Sequence, residues 1–423
     1  MTESTAVARR SLGFGSLLAL GVNGIVGVGI FFAPSEVAAL VPGAAGIAVY
    51  AVTALCLLPI ALGYAALGSR FSEDGGPYVW ARAAFGPGAG FAVGWVAYVS
   101  ALFSSSAVIA GLAQHAGPLV GFESSWAQRG FAALVIAALT GTAATGLSPS
   151  ARVWSTITVL KLIPLLLLGA LFAVSAHRVP VASATAAPDF ARAALVVVFA
   201  TQGFEIVPVP AGNARGSGRA IPAATVLSLV LAALLYLVLH AACVAVVPGL
   251  AASQAPLVAL GSGLGGPRLA GLVAVGTNLS ALGIAFGMFA MTPRYLAALG
   301  RPEAFGPWIS HQDPRQVPQR ALWLTAAVVL VFVLSGRLME LFALSSVAVL
   351  APYGMSMASL VKLAIGRQRG LSRWHAWPAP LALGAVWLIA RAARRGELVV
   401  GAAVLAAGGL LVWLRRRFAQ VAG

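Results

Sequence analysis

Two charged residues sit in the middle of long apolar runs. Lys161 lies in Thr158-Val159-Leu160-Lys161-Leu162-Ile163-Pro164, and Glu205 lies in Phe199-Ala200-Thr201-Gln202-Gly203-Phe204-Glu205-Ile206-Val207-Pro208-Val209-Pro210-Ala211-Gly212. The other acids fall at the ends of such runs or between them. A charge held at bilayer depth costs about 3 kcal/mol or more, so each is a functional candidate. A third feature is neutral. The run Asn23-Gly24-Ile25-Val26-Gly27-Val28-Gly29-Ile30-Phe31 places three glycines within six positions. Each weakens a helix by about 1 kcal/mol relative to alanine. Backbone unwound there would be tolerated in hydrocarbon only where it is buried in protein or lines a cavity. It would offer free carbonyls, and its free N–H groups at the start of a second half-helix would attract an anion.

The run containing Glu205 is interrupted as well, by Gly203, Pro208 and Pro210. The residue before a proline is pushed away from helical dihedrals. Paired interrupted helices at matching places in two halves of a chain point to a ligand site near the bilayer midplane, built from inverted repeats. Enzyme chemistry has little to work with. There is no His-Glu-x-x-His, no paired-aspartate motif, and no Ser/His/Asp set at one depth, and the 5 histidines are scattered. No metal site and no cofactor are expected. His115 and His240 read as structural, and Ser104, Ser105 and Ser106 as bonded back to their own helix.

The elements that must carry these groups follow from composition. The chain has 423 residues, 60% hydrophobic and only 9% charged, with mean hydropathy +0.93. That is too little charge to cover a soluble surface, so the expected class is an all-α membrane protein. A span needs about 20 apolar residues. About 12 transmembrane helices are predicted, near 12–40, 45–69, 86–115, 130–147, 152–175, 191–213, 222–247, 267–299, 320–335, 339–363, 377–392 and 397–414. The net charge of +16 would suggest nucleic acid in a soluble chain. Here the basic residues separate apolar runs and form no continuous basic face, so they read as orientation signals. With the N-terminus in the cytoplasm, about two thirds of the 27 Lys and Arg fall on the cytoplasmic side, and the C-terminus is cytoplasmic too. The Arg391–Arg395 cluster runs against this bias. Cys56 and Cys243 lie inside apolar runs and read as reduced and structural. The alanine- and arginine-rich composition suggests a bacterial inner membrane.

Several motifs, in order, resemble the amino acid–polyamine–organocation (APC) superfamily. They are Asn23–Phe31; Ser72-Glu73-Asp74-Gly75-Gly76-Pro77-Tyr78-Val79-Trp80 with Ala84-Phe85-Gly86-Pro87; Gly203-Phe204-Glu205 with Ala211-Gly212-Asn213 and Arg219-Ala220-Ile221-Pro222; and Thr292-Pro293-Arg294 with Val317-Pro318. The resemblance implies two inverted five-helix repeats of the LeuT-like type, 12–175 and 191–363, followed by two extra helices over 377–414. It implies a secondary transporter (permease) of amino acids working by alternating access, with a small amino acid or amine as partner. Small neutral amino acids are expected first, because no spare acid is available for a cationic side chain. The substrate carboxylate would meet backbone amides of Gly27, Val28 and Gly29. Its ammonium would meet carbonyls of Ile25, Phe199 and Gln202, with Gly24 and Gly203 completing the site. The resemblance also implies that a lysine at position 161 can take the place of a coupling sodium ion. Desolvation disfavours the charged form of a lysine, so Lys161 could load and release a proton during a cycle. Its alternative is a fixed cation in an exchanger or uniporter. Glu205 could relay protons, bind a cationic substrate, or tie the interrupted helix to its neighbours, which is the reading preferred here. Other readings are a polyamine or nucleobase carrier of the same fold, and a non-transporting sensor or scaffold. Monomer and homodimer both remain open.

Overall fold

The structure is a computed structural model that describes residues 12–27, 29–117, 120–175, 187–300, 305–335 and 338–421. The described residues are nearly all helical. They contain no strand, only an isolated parallel bridge between Leu12 and Ala214. In chain order the helices are α1 (Phe14–Ile25), α2 (Gly29–Leu40), α3 (Ala44–Gly68), α4 (Pro77–Phe85), α5 (Pro87–Ala116), α6 (Ser125–Ala143), α7 (Leu147–Val174) and α8 (Phe190–Thr201). They continue with α9 (Ser217–Val246), α10 (Pro256–Ala298), α11 (Pro307–Ser310), α12 (Gln319–Ser335), α13 (Leu338–Ala348), α14 (Leu350–Ile365), α15 (Pro378–Ala390) and α16 (Arg395–Val421).

Among the described residues, six helical stretches are long and apolar enough to cross a membrane: 44–68, 87–114, 153–174, 218–246, 256–298 and 340–365. The count rises to eight if each of two bent pairs, α1 with α2 and 373–390 with 395–411, makes one span. Length and composition therefore support six to eight crossings, fewer than the about twelve expected from the sequence. The difference lies in α8 and α12, apolar but short, in α6, and in the last bent pair, which the sequence reading counts as two helices.

Local sequence explains where the elements begin, break and end. The first expected helix is two, α1 and α2, divided around the glycines. The expected helix 191–213 ends at Thr201, and its remainder is two short 3₁₀ turns, Phe204–Ile206 and Ala211–Asn213. Gly203 holds φ +133, a conformation side chains rarely adopt, and Pro208 and Pro210 withhold two amide donors from any α-helical continuation. The helix expected from 267 begins at Pro256 and kinks at Gly265 and Gly266. Helix α4, inside the Gly75–Pro87 motif, is an element the sequence reading left as a connection.

Glycines on α10 let it approach the first interrupted helix. A Cβ on Gly283 would meet Ile157 of α7 and, at 2.9 Å, Asn23 Oδ1; one on Gly287 would meet Asn23 Nδ2 at 3.0 Å. Larger residues there would hold α10 away from α1 and α7.

Candidate functional site

The break between α1 and α2 is bound by side chains from three other helices. Lys161 of α7 is completely buried. Its ammonium donates to the Asn23 carbonyl (3.0 Å), to Asn23 Oδ1 (2.7 Å) and to the Val26 carbonyl. An ammonium has three N–H donors, and here each has an acceptor. Ser280 of α10 adds a second donor to the Val26 carbonyl at 3.0 Å. Tyr236 of α9 donates to the Ile25 carbonyl at 2.8 Å. Asn23 is fixed in turn, its amide donating to Gly283 O at 2.7 Å. The carbonyls that unwinding frees are thus satisfied by a lysine, a serine and a tyrosine far away in sequence.

The break after α8 is held differently. Glu205, four residues past the helix end, accepts the Gly203 N–H at 2.8 Å and the Tyr353 hydroxyl of α14 at 3.1 Å on the same oxygen. The carboxylate therefore braces the turn that contains it. Gln202 is 9% exposed, and its Oε1 accepts from Ser345 at 3.1 Å while Nε2 has no partner among the described residues. The two breaks touch. A Cβ on Gly203 would collide with the backbone of Gly24 and Ile25, and one on Gly29 would come to 2.7 Å from Ala200 Cα.

Between the breaks lies a cavity of about 60 Å³. Its walls include Gly24, Ile25 and Gly29 from the first break, Phe199, Gln202, Gly203 and Glu205 from the second, and Ser100, Ser104, Ile284, Met288 and Tyr295 from α5 and α10. At about 10–15 Å³ per water-sized centre, that space suits a molecule the size of a small amino acid. Of the residues expected to bind substrate, the structure brings together Gly24, Ile25, Gly29, Phe199, Gln202 and Gly203. Gly27 is not on the cavity wall; a Cβ there would meet Ile284. Val28 lies outside the described residues. Lys161 is not on the wall either, and reaches the opposite side of the α1–α2 break. Ser104 faces the cavity, while Ser105 and Ser106 bond back to Ala101 and Leu102 as expected. His240 is buried against Tyr50, with ring centroids 4.6 Å apart, and neither ring nitrogen has a partner among the described residues.

Two clusters of different chemistry flank the site. On one side Phe199, a cavity wall, packs against Phe342 (4.5 Å between centroids), and Phe342 against Phe32 (4.6 Å). The same three rings floor a wider opening of about 660 Å³ lined also by Glu36, Glu340, Arg192 and Glu397. Arg192 and Glu397 pair at 2.9 Å. On the other side Asp74, just past the far end of the 25-residue α3, accepts from Gly212 N (2.8 Å) and from Arg294 Nη1 (3.1 Å). Arg294 Nη2 donates to Gln316 O at 2.9 Å. Asp74, Gly212, Arg294 and Gln316 come from four separate segments, so this latch was invisible to a reading along the chain, although three fall within motifs singled out there and Gln316 adjoins another.

Among the described residues no cluster of three or more His, Cys, Asp and Glu gathers. Comparison with known proteins gives the chain its family. The amino acid permease family model matches residues 12–393. An uncharacterized transporter of Mycobacterium tuberculosis is 28% identical, covering 96% of this chain and 92% of its own length. An arginine/ornithine antiporter of Pseudomonas aeruginosa is 28% identical over 76% of this chain and 70% of its own. A branched-chain amino acid permease of Bacillus subtilis is 25% identical over 76% and 74%. With apolar helices long enough to cross a membrane several times, and a family match over most of its length, the chain is a multi-pass membrane protein and a member of the amino acid permease family within the APC superfamily.

Proposed function

We propose that this protein is a secondary active transporter of small neutral amino acids, working by alternating access in a bacterial inner membrane with both termini cytoplasmic. The observation that carries the reading is the 60 Å³ cavity between the two helix breaks. Its lining joins residues of both breaks to polar side chains, among them Gln202, Glu205, Ser100, Ser104 and Tyr295. The substrate carboxylate would take the N–H groups at the start of α2, around Gly29, with the unpartnered Gln202 amide as a further donor. The ammonium would take the Phe199 and Gln202 carbonyls. The Ile25 carbonyl, already used by Tyr236, keeps one lone pair for sharing.

In this reading residues 12–175 and 191–363 form two inverted five-helix repeats, with 377–414 adding two helices. The short α6, α8 and α12 then complete twelve crossings. The Phe32–Phe199–Phe342 rings close the outer path, and the Asp74–Arg294 latch closes the inner one. Alternating access requires the two to open in turn. Lys161 supplies the positive charge at the α1–α2 break, at the place a sodium ion would otherwise fill, so transport is sodium-independent. Proton linkage follows if Lys161 releases its proton when the inner path opens; a lysine that stays charged would leave an exchanger.

A second reading, exchange of cationic amino acids or amines, is favoured by one observation: Glu205 lies on the cavity wall. Thermal stabilisation of the purified protein decides between them. The panel is the twenty amino acids with agmatine, putrescine and adenine, at pH 5.5 and 7.5, because a ligand that binds only the folded state raises its apparent stability. Stabilisation by alanine, serine or similar neutral amino acids is expected. Stabilisation by arginine, lysine, agmatine or putrescine alone would instead establish the cationic reading, and by adenine alone would overturn both.

A further inference from the structure

Away from the transport path, the flank formed by α4, α14 and α15 carries a groove of about 420 Å³. Its walls are Phe85, Ala358, Val361, Ile365 and Leu383, with Lys362 as the one charged member. Phe85, Ile365 and Leu383 are all substantially exposed, so the groove opens outward, toward lipid in a membrane-embedded chain. The Lys362 ammonium lies 4.6 Å from the centre of the Phe85 ring, at the polar end of the groove.

The connection that follows Lys362 is basic and aromatic. It folds as two 3₁₀ turns, Gln368–Gly370 and Arg373–Ala376, and presents Arg367, Arg369 and Arg373 on the surface. The Arg369 guanidinium rests 4.9 Å over the Phe71 ring, and Arg70 approaches His375 at 3.4 Å, tying the connection to the end of α3. Trp374 is 84% exposed and Trp377 58%. No Asp or Glu occurs between Glu340 and Glu397. Exposed indoles beside cations mark the level of lipid headgroups. An apolar slot that ends at an ammonium and is followed by three guanidiniums, with no neighbouring carboxylate on the same segment, matches an acyl chain joined to a phosphate.

We propose that this groove is a binding site for one anionic phospholipid, its acyl chain against Phe85, Val361, Ile365 and Leu383 and its phosphate at Lys362, with Arg369 and Arg373 adding attraction. A zwitterionic lipid would bring a choline or ethanolamine cation into a cluster of like charge, so the site discriminates by headgroup. On this inference the transporter holds a lipid on the same face as the Asp74–Arg294 latch.

The test is delipidated protein titrated with phosphatidylglycerol or phosphatidylcholine of identical acyl chains, read by native mass spectrometry for bound lipid. Wild type is expected to bind phosphatidylglycerol at least tenfold more tightly. Lys362→Gln should lose roughly fivefold of that preference, and Lys362→Gln with Arg369→Gln and Arg373→Gln should abolish it. Ala358→Phe, which fills the groove and keeps every charge, should weaken both lipids. Arg129→Gln with Arg391→Gln and Arg395→Gln removes equal charge elsewhere and should change nothing. Equal binding of the two lipids, an equal loss in the charge control, or full retention by Ala358→Phe would overturn the site. So would equal competition by free inorganic phosphate, since that would place the affinity in the cations alone.

Discussion

The two interrupted helices solve the same problem in opposite ways. At the α1–α2 break the freed carbonyls are capped from outside, by Lys161, Ser280 and Tyr236 on three different helices. At the α8 break the brace is local, from Glu205 two residues along the chain and from the glycine and prolines that forbid helix, with Tyr353 as the distant partner. The first break therefore depends on how α7, α9 and α10 sit around it and would sense their movement. The second keeps its shape by itself and leaves the Gln202 amide for a ligand. On the proposed function, coupling would rest on the first break, and the second would add the Gln202 amide to recognition of the substrate.

The largest expected effect comes from removing the outside cap. Lys161→Ala strands the two Asn23 oxygens, leaves the Val26 carbonyl to Ser280 alone and opens a cavity, and should cost about 2–5 kcal/mol; denaturant unfolding in detergent measures it. Lys161→Gln keeps a donor and should cost clearly less, and an equal loss for both would argue that the site needs charge and not hydrogen bonds. Next comes Gly203→Ala. Its φ of +133 and the contact with Gly24 leave no room for a Cβ, and strain alone is worth about 1–3 kcal/mol. A neutral result would show that the second break is less rigid than described.

Tyr236→Phe removes one hydrogen bond to the first break and should cost about 1 kcal/mol. Tyr353→Phe should cost a similar amount in stability, while lowering substrate affinity more, because it loosens Glu205 at the cavity wall. If the two variants shift affinity equally, the division of labour fails. The smallest effect lies outside both breaks. The Gln319 amide, with the N–H groups of Val317 and Arg315, holds the Asp313 carboxyl below its usual range. Its folded value is depressed, so its contribution is present above the unfolded value near about 4 and is lost as pH falls through the folded one. Asp313→Asn should flatten that acid limb slightly in a pH series of melting temperatures, leaving transport at neutral pH unchanged.

The sequence disclosed the parts of this arrangement that are rare and hid those that are common. A lysine and a glutamate inside apolar runs stand out because bilayer depth makes them expensive, and three close glycines mark a break for the same reason. Tyr236, Ser280, Ser345 and Tyr353 resemble many other hydroxyls along the chain, and only folding reveals which four reach Ile25, Val26, Gln202 and Glu205. The interruption of the expected sixth helix was legible from Gly203, Pro208 and Pro210, but not the two 3₁₀ turns that follow it, since a proline biases its neighbour without fixing what replaces the helix. Asp74 and Arg294 are 220 residues apart, and no local pattern joins them. Gly27 is not among the residues that line the cavity, and an unwound segment has no fixed period from which its facing could be assigned.

The division between the breaks is tested most directly by uptake of labelled alanine and serine into proteoliposomes, with and without an inward proton gradient, for wild type, Lys161→Gln and Gln202→Leu. The gradient should raise wild-type uptake several-fold. Lys161→Gln should retain exchange yet no longer respond to the gradient, and Gln202→Leu should lose uptake under both conditions. A gradient response that survives Lys161→Gln, or wild-type uptake by Gln202→Leu, would contradict the assignment of coupling to the first break and recognition to the second.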